Sequence, residues 1–274
     1  MDCAAQLSRL GTLEMNEPVP RKELYRARDL LGTADRIVVL TGAGISAESG
    51  VPTFRSADGL WKTFRAEELA TPEAFARDPR LVWEWYGWRR ELIAACVPNP
   101  AHQALARLAL ADPMRITLVT QNVDGLHHRA ARAEAGSGDP TRALPLELHG
   151  AIHRDRCSAC DRLDREPVAV DASSEATLPR CPDCAALMRP DVVWFGEALD
   201  HEVLGAALSA AERADVCLVV GTSALVYPAA SLPDVTRSRG GSVIEVNPEA
   251  TALSASATVS LRGSAGRLVP EIAV

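Results

Sequence analysis

Two cysteine pairs, Cys157-x-x-Cys160 and Cys181-x-x-Cys184, are the residues whose spacing speaks most directly of chemistry. Each C-x-x-C knuckle presents two thiolates to one metal ion, and two knuckles complete the four-sulfur tetrahedron that suits Zn²⁺. Because protein fills all four positions, the ion would be structural, one per chain, in a zinc ribbon. A redox use of either pair is the competing reading, but neither pair opens a helix after a strand, where such thiols are activated. Cys3, Cys96 and Cys217 follow no pattern, and a total of seven points to metal before disulfides.

A second chemistry-bearing stretch runs from Leu40 to Trp61, LTGAGISAESGVPTFRSADGLW. The β-branched run Arg36 to Thr41 predicts a buried strand, and Gly42-x-Gly44-x-x-Ala47 follows it at once, with Ile45-Ser46-Ala47 able to open a helix. Glycines let backbone turn sharply and approach a ligand, while a helix start offers N–H groups to a diphosphate. The pattern satisfies the relaxed dinucleotide fingerprint in strand-to-helix context, although a tight turn without ligand would read the same. Gly50 and Pro52 then break the helix early, and Arg55 falls on a loop beside the phosphate position. No acidic residue follows a second strand to bind ribose hydroxyls, as an ordinary dehydrogenase would require.

Three further groups have suitable side chains. Strand Arg115 to Thr120 delivers Gln121-Asn122-Val123-Asp124 at its carboxyl end, where open α/β sheets bind ligands; Asp124 could equally cap a helix starting near Gly125. Leu146-Glu147-Leu148-His149-Gly150 ends another strand in a histidine, a residue that titrates near working pH. A strand-end histidine is as readily structural, and His127, His128 and His153 compete with it. A helix from Pro79 to Cys96 carries Val82, Tyr86, Arg89 and Ile93 on one face. An arginine on an apolar stripe serves either an internal salt bridge or, with a phenol one turn away, an anion.

The elements that must position these groups follow from local signals. Residues 1–20 read as a lead-in, Lys22 to Leu31 as a helix, and Thr71-Pro72 and Asp78-Pro79 as N-caps with proline at the first helical position. His102 to Leu110 is predicted helical, Ala130 to Pro145 a polar, unstructured loop, and Arg189 to Glu197 a return to the main sheet. Further strands are expected at Asp215 to Val220, Ser242 to Val246 and Ala257 to Leu261, each ending in small or polar residues. The net charge of −7 argues against nucleic acid as the main ligand. No apolar run reaches a membrane span and the N-terminus lacks an apolar signal core, so a cytoplasmic protein is expected.

With these residues in order, GAGISAESGVPTFR closely resembles the signature of the sirtuins, NAD-consuming protein deacylases, and the later motifs follow in that family's order from about Asp35 to Ala265. The resemblance implies an α/β fold: a Rossmann-like parallel sheet (21–56, 101–150, 190–274) with a small module made of a helical insertion (57–100) and the zinc ribbon (151–189). It implies that NAD, as co-substrate, is held by Gly42, Ala43, Gly44, Ser46, Ala47, Thr53, Phe54, Arg55 and Trp61, and by Gln121, Asn122, Val123 and Asp124 at the nicotinamide ribose. Its adenosine would meet Gly221, Thr222, Ser223, Asn247, Pro248, Glu249 and Ala265. His149 would be the general base, and Val192, Trp194, Phe195 and Gly196 would wall the tunnel of an acyl-lysine peptide. Ala70 with Tyr86-x-x-Arg89 resembles the branch that removes succinyl and malonyl groups. The implied reaction is acyl transfer to ADP-ribose with release of nicotinamide, not hydride transfer. Mono-ADP-ribosyl transfer on the same scaffold, a non-catalytic NAD sensor and a nucleic-acid-binding ribbon are the alternatives.

Overall fold

A computed structural model describes residues 19–52, 60–61 and 64–273. The described residues begin with helix α1 (Arg21–Thr33) and strand β1 (Ile37–Thr41), whose unbroken apolar run suits a strand covered on both faces. A short 3₁₀ turn, Ala43–Ser49, stands where a helix was expected, and Gly50 ends it in the left-handed region. The small strands β2 (Leu60–Trp61) and β3 (Phe64–Arg65) precede helices α2 (Ala66–Leu69), α3 (Pro72–Arg77) and α4 (Pro79–Ala94). Thr71 and Asp78 cap α3 and α4 as predicted, accepting from Ala74 N–H at 3.1 Å and Leu81 N–H at 3.0 Å.

Helix α5 (Pro100–Ala111), strand β4 (Ile116–Thr120) and helix α6 (Leu126–Ala135) follow, then strand β5 (Leu146–Glu147). The segment predicted to be an unstructured loop is therefore helical in its first part. Ala130 and Ala131 form a buried stripe of α6, and Pro140–Ala143 makes a 3₁₀ turn capped by Asp139. Alanine spacing on the buried face outweighed the polar composition there. The ribbon strands are β6 (Gly150–Cys157), β7 (Leu163–Asp164) and β8 (Met188–Val192). Helix α7 (His201–Arg213), β9 (Val216–Val220), α8 (Leu232–Ser238), β10 (Ser242–Asn247), β11 (Val259–Arg262) and α9 (Ala265–Ile272) complete the chain.

The main sheet runs β11-β10-β9-β1-β4-β5 with every neighbour parallel. That is the doubly wound order, in which the chain steps outward from β1 through β4 to β5 and then returns to β9. Successive side chains of one strand pack on opposite faces. Ile37 and Val39 join the core beneath α1, α5 and α9, while Val38 and Leu40 join the core beneath α7 and α8. Among the described residues no helix is long and apolar enough to cross a membrane.

The small module has its own core. Val82, Trp83, Tyr86 and Ile93 of α4 pack with Ile152, Cys157, Cys181 and Met188 of the ribbon. Trp83, 1% exposed, donates its indole N–H to Met188 O at 3.1 Å and so ties helix to ribbon. Residues 189–192 do not rejoin the main sheet as predicted: β8 pairs antiparallel with β6 in the sheet β7-β6-β8. The reason lies at Gly150, where φ is +76° and a Cβ would stand 2.1 Å from Asp191 O. Only glycine lets the two ribbon strands approach this closely.

Candidate active site

The carboxyl ends of β1, β4, β9 and β10 face the small module across a cavity of about 680 Å³. A doubly wound sheet places its crevice there, where the connections diverge to opposite sides. The first turn is pressed against the end of β9: Gly42 N–H donates to Val220 O at 3.0 Å and Gly44 N–H to Gly221 O at 2.8 Å. A Cβ at Gly44 would lie 2.7 Å from Gly221 O. The glycines therefore let the turn pack backbone to backbone against the end of β9, where the N–H groups of Gly42 and Gly44 are engaged.

Beneath the turn lies a buried polar network. Ser46, 0% exposed, donates to Asp124 Oδ2 at 2.7 Å and accepts from Asn122 Nδ2 at 3.1 Å and His102 Nε2 at 3.4 Å. Asn122 also donates to Gly42 O at 3.1 Å, so the end of β4 is stitched to the end of β1. Asp124 both lines the cavity and accepts from Leu126 N–H at 2.9 Å, which reconciles the two roles read from the sequence. Burial raises its pKa above the usual carboxylate range, against the hydrogen bonds from Leu126 and Ser46. His127 donates from Nε2 to Thr41 Oγ1 at 2.9 Å, because that hydroxyl gives its own proton to Thr120. The rings of His102 and His127 meet edge-on at 4.9 Å, and burial holds His102 at about 4 and His127 well below the ordinary histidine value. No sequence motif marked this pair, since neither histidine ends a strand.

His149 sits between the sheet and the ribbon. Its Nδ1–H donates to Gln121 O at 2.8 Å, and its own carbonyl accepts from Val193 N–H at 2.9 Å. A carbonyl can only accept, so Nδ1 carries the proton and Nε2 keeps a free lone pair on a residue that lines the cavity. Burial lowers the His149 pKa, opposed by the Gln121 hydrogen bond. The competing histidines are placed elsewhere: His153 is exposed, and His128 faces Glu147 at 2.9 Å.

Of the other predicted residues, Gly42, Ala43, Gly44, Gln121, Asn122, Val123, Asp124, Gly221, Thr222, Ser223, Asn247 and Glu249 share the cavity lining with Ala70, Tyr86, Arg89, Val192, Trp194, Phe195 and Gly196. The cross-links Gln121 Nε2 to Thr222 Oγ1 (3.1 Å) and Asn247 Nδ2 to Thr222 O (3.0 Å) hold the strand ends together. Ser46, Ala47, Pro248 and Ala265 lie outside the lining, Ser46 and Ala265 being buried behind it. Thr53, Phe54 and Arg55, and the side chain of Trp61, lie outside the described residues. Sequence reasoning missed Leu225, Val226 and Tyr227, a loop of exposed apolar side chains that also lines the cavity. The only signal in the sequence is the apolar run Leu225-Val226-Tyr227 just after a strand end, and its exposure is set by the fold.

The four ribbon cysteines converge as predicted, their sulfur atoms all within 4.8 Å of one another. The Cys157–Cys184 and Cys160–Cys181 pairs are 3.4 and 3.6 Å apart. Zinc–sulfur bonds of about 2.3 Å in a tetrahedron place sulfurs roughly 3.8 Å apart, so the donor set fits one zinc with no open position. Ala159 and Cys160 N–H groups donate to Cys157 Sγ at 3.4 Å, contacts that favour a metal-binding thiolate there.

The Sir2 family profile matches residues 42–228, from the glycine turn through the strand ends, His149 and all four cysteines. The chain belongs to the Sir2 family. A relative from Thermococcus kodakarensis named NAD-dependent protein deacylase is 52% identical over 252 residues, covering 91% of this chain and 94% of its own. The crystal structure of a Sir2 homolog–NAD complex superposes with a TM-score of 0.80 at 46% identity, covering 93% of this chain and 92% of that one. A Sir2 histidine-to-tyrosine mutant bound to a p53 peptide and NAD gives 0.74 at 29% identity, covering 91% of this chain and 96% of that one. The Sir2 scaffold thus accounts for both layers seen here, the parallel sheet and the cysteine-bearing module that closes its crevice.

Proposed function

We propose that this Sir2 protein is an NAD-dependent protein-lysine deacylase that prefers acidic acyl groups, succinyl or malonyl, over acetyl. One observation carries the reading: a single cavity holds the glycine turn, His149 with a free Nε2, and the trio Ala70, Tyr86 and Arg89. Its volume of about 680 Å³ fits the range of small-ligand sites, about 300–1,000 Å³. The relative named NAD-dependent protein deacylase and the Sir2 homolog bound to NAD support the cofactor and the activity. The peptide-bound Sir2 structure supports a modified peptide or protein as partner.

Bound NAD supplies an activated ribose carbon with nicotinamide as leaving group, and the acyl group passes to ADP-ribose. His149 Nε2 takes the proton of a ribose hydroxyl, and the Gln121 carbonyl keeps the imidazole in the required tautomer. Asn122 and Asp124 orient the nicotinamide end from a network with no freedom to turn. Thr222, Ser223, Asn247 and Glu249 hold the adenosine end. The substrate strand runs beside residues 192–196. The N–H groups of Val193, Trp194 and Phe195 are already given to His149 O, Glu197 and Ala70 O. Pairing therefore uses carbonyl oxygens and the N–H of Gly196, with Leu225, Val226 and Tyr227 opposite. Small Ala70, 5% exposed, leaves room for a four-carbon acyl chain, whose carboxylate meets Tyr86 and Arg89. The proposal includes one structural zinc on the four cysteines and a cytoplasmic setting, where paired thiols hold metal instead of disulfides.

The test is nicotinamide release with lysine peptides that differ only in the acyl group, with the products identified by mass. Free lysine peptide and O-acyl-ADP-ribose, formed faster from succinyl- or malonyl-lysine, are the expected result. An ADP-ribosylated peptide would instead assign a mono-ADP-ribosyltransferase on the same scaffold.

A further inference from the structure

The segment after β8 is held by a clasp of side chains around Trp194. Arg189, 8% exposed, stacks its guanidinium 3.4 Å from the centre of the Trp194 ring. The same guanidinium pairs with both carboxylate oxygens of Glu197, at 2.9 Å for Nη2 to Oε2, and donates to Val192 O at 2.6 Å. Glu197 Oε2 in turn accepts the backbone N–H of Trp194 at 2.7 Å. Phe75 packs against Trp194 with ring centres 5.3 Å apart. A tryptophan has one polar side-chain atom, a donor with no acceptor capacity. Here it is aimed at one target: Nε1–H donates to the Tyr86 hydroxyl at 2.8 Å.

A phenol offers one proton and two acceptor positions. We infer that Trp194 is a specificity-positioning residue: by occupying an acceptor position of the Tyr86 hydroxyl, it turns the phenolic proton toward the cavity and makes Tyr86 a fixed donor for an acyl carboxylate. The Arg189–Glu197 pair holds the indole in that pose. Burial pushes the Tyr86 phenol up to about 12, so the proton is present at any working pH. A carboxylate accepts from Tyr86, whereas the methyl of an acetyl group has nothing to accept with. The indole N–H therefore contributes to the choice between acyl groups, through Tyr86. This rests on the acidic-acyl reading above.

The experiment compares wild type, Trp194→Phe, Tyr86→Phe and the double variant. It reads kcat and KM for otherwise identical succinyl- and acetyl-lysine peptides, with thermal melting as the control for folding. Trp194→Phe keeps an aromatic ring, smaller than the indole, and removes the donor, so the double variant with Tyr86→Phe separates the lost hydrogen bond from the lost packing. The ratio of kcat/KM for succinyl to acetyl should fall about 3–10-fold, through KM for the succinyl peptide, as for one neutral hydrogen bond. Because the effect passes through one hydroxyl, the double variant should fall no further than Tyr86→Phe alone. Losses that simply multiply in the double variant, or an unchanged ratio in Trp194→Phe while Tyr86→Phe lowers it, would overturn the inference. Should Trp194→Phe fail to fold, Glu197→Gln loosens the clasp at Arg189 and the Trp194 N–H while leaving the Trp194–Tyr86 hydrogen-bonding groups in place. It must lower the same ratio, to a smaller extent, and an unchanged ratio overturns the inference. A wild type without preference for succinyl would instead overturn the acidic-acyl reading itself, and this inference with it.

Discussion

Replacing Arg89 by methionine removes one charge while keeping a long unbranched stem that fills similar space. Arg89 lines the cavity one helical turn from Tyr86, with its guanidinium 5.1 Å from the centre of the Trp85 ring. Burial lowers its pKa, opposed by Tyr86 and Asp124, so the surroundings screen the charge less than water would. An acyl carboxylate at about 4 Å, with an effective dielectric near 20, gains roughly 4 kcal/mol before its own desolvation is subtracted. The net value for a hydrogen bond to a charged group is about 1.5–3 kcal/mol. At about 1.4 kcal/mol per factor of ten, Arg89→Met should lower kcat/KM for succinyl-lysine roughly 10–100-fold relative to acetyl-lysine. Nicotinamide release at varied peptide concentration and saturating NAD measures both constants. Equal losses on the two peptides would refute the reasoning. They would make Arg89 a structural residue that braces Trp85 and the small core.

Three further outcomes are expected. His149→Ala should fold and lose on the order of 10²-fold or more in deacylation. The wild-type acid limb of kcat/KM should lie below the ordinary histidine value, since burial favours the neutral base; a limb above pH 7, or equal loss in His153→Ala, would reassign the base. Metal analysis should find about one zinc per chain, and its removal should unfold the ribbon as followed by circular dichroism; a metal-free protein with unchanged melting and turnover would exclude a folding role. His102 and His127 are buried neutral, so below about pH 6.5 the unfolded chain takes up protons that the folded chain refuses. Their contribution is complete above that pH and is lost as pH falls toward 4, at about 1.4 kcal/mol per pH unit for each histidine. Denaturant melts of wild type and His102→Gln from pH 7 to 5 should differ in slope by about one proton, and identical slopes would refute the assignment.

Local signals in the chain were enough for much of this molecule. Proline after Thr71 and Asp78 marked two helix starts, because a side-chain cap and a missing N–H are purely local matters. Unbroken apolar runs announced β1 and β9, since a strand covered on both faces has no polar side to display. The paired cysteines announced a metal site, because a knuckle brings its own two ligands together by spacing alone. Where composition and burial disagreed, as in α6, the sequence pointed the wrong way, because polar residues on one face hid the alanine stripe on the other.

Groups that meet only across the fold were decided by tertiary structure. The glycine turn reads as a phosphate cradle, and only the fold shows that the end of β9, far away in sequence, takes the N–H groups of Gly42 and Gly44. The pairing of β8 with β6 depends on how closely two backbones can pass at Gly150. Neither the edge-on contact of His102 with His127 nor the hydrogen bond from Trp194 to Tyr86 has any local signature. Sequence alone determined which chemical groups this protein carries and which elements bear them. The order of strands and the packing of the small module decided which atoms face one another, because hydrogen bonds and buried charges depend on distances that only the folded chain sets.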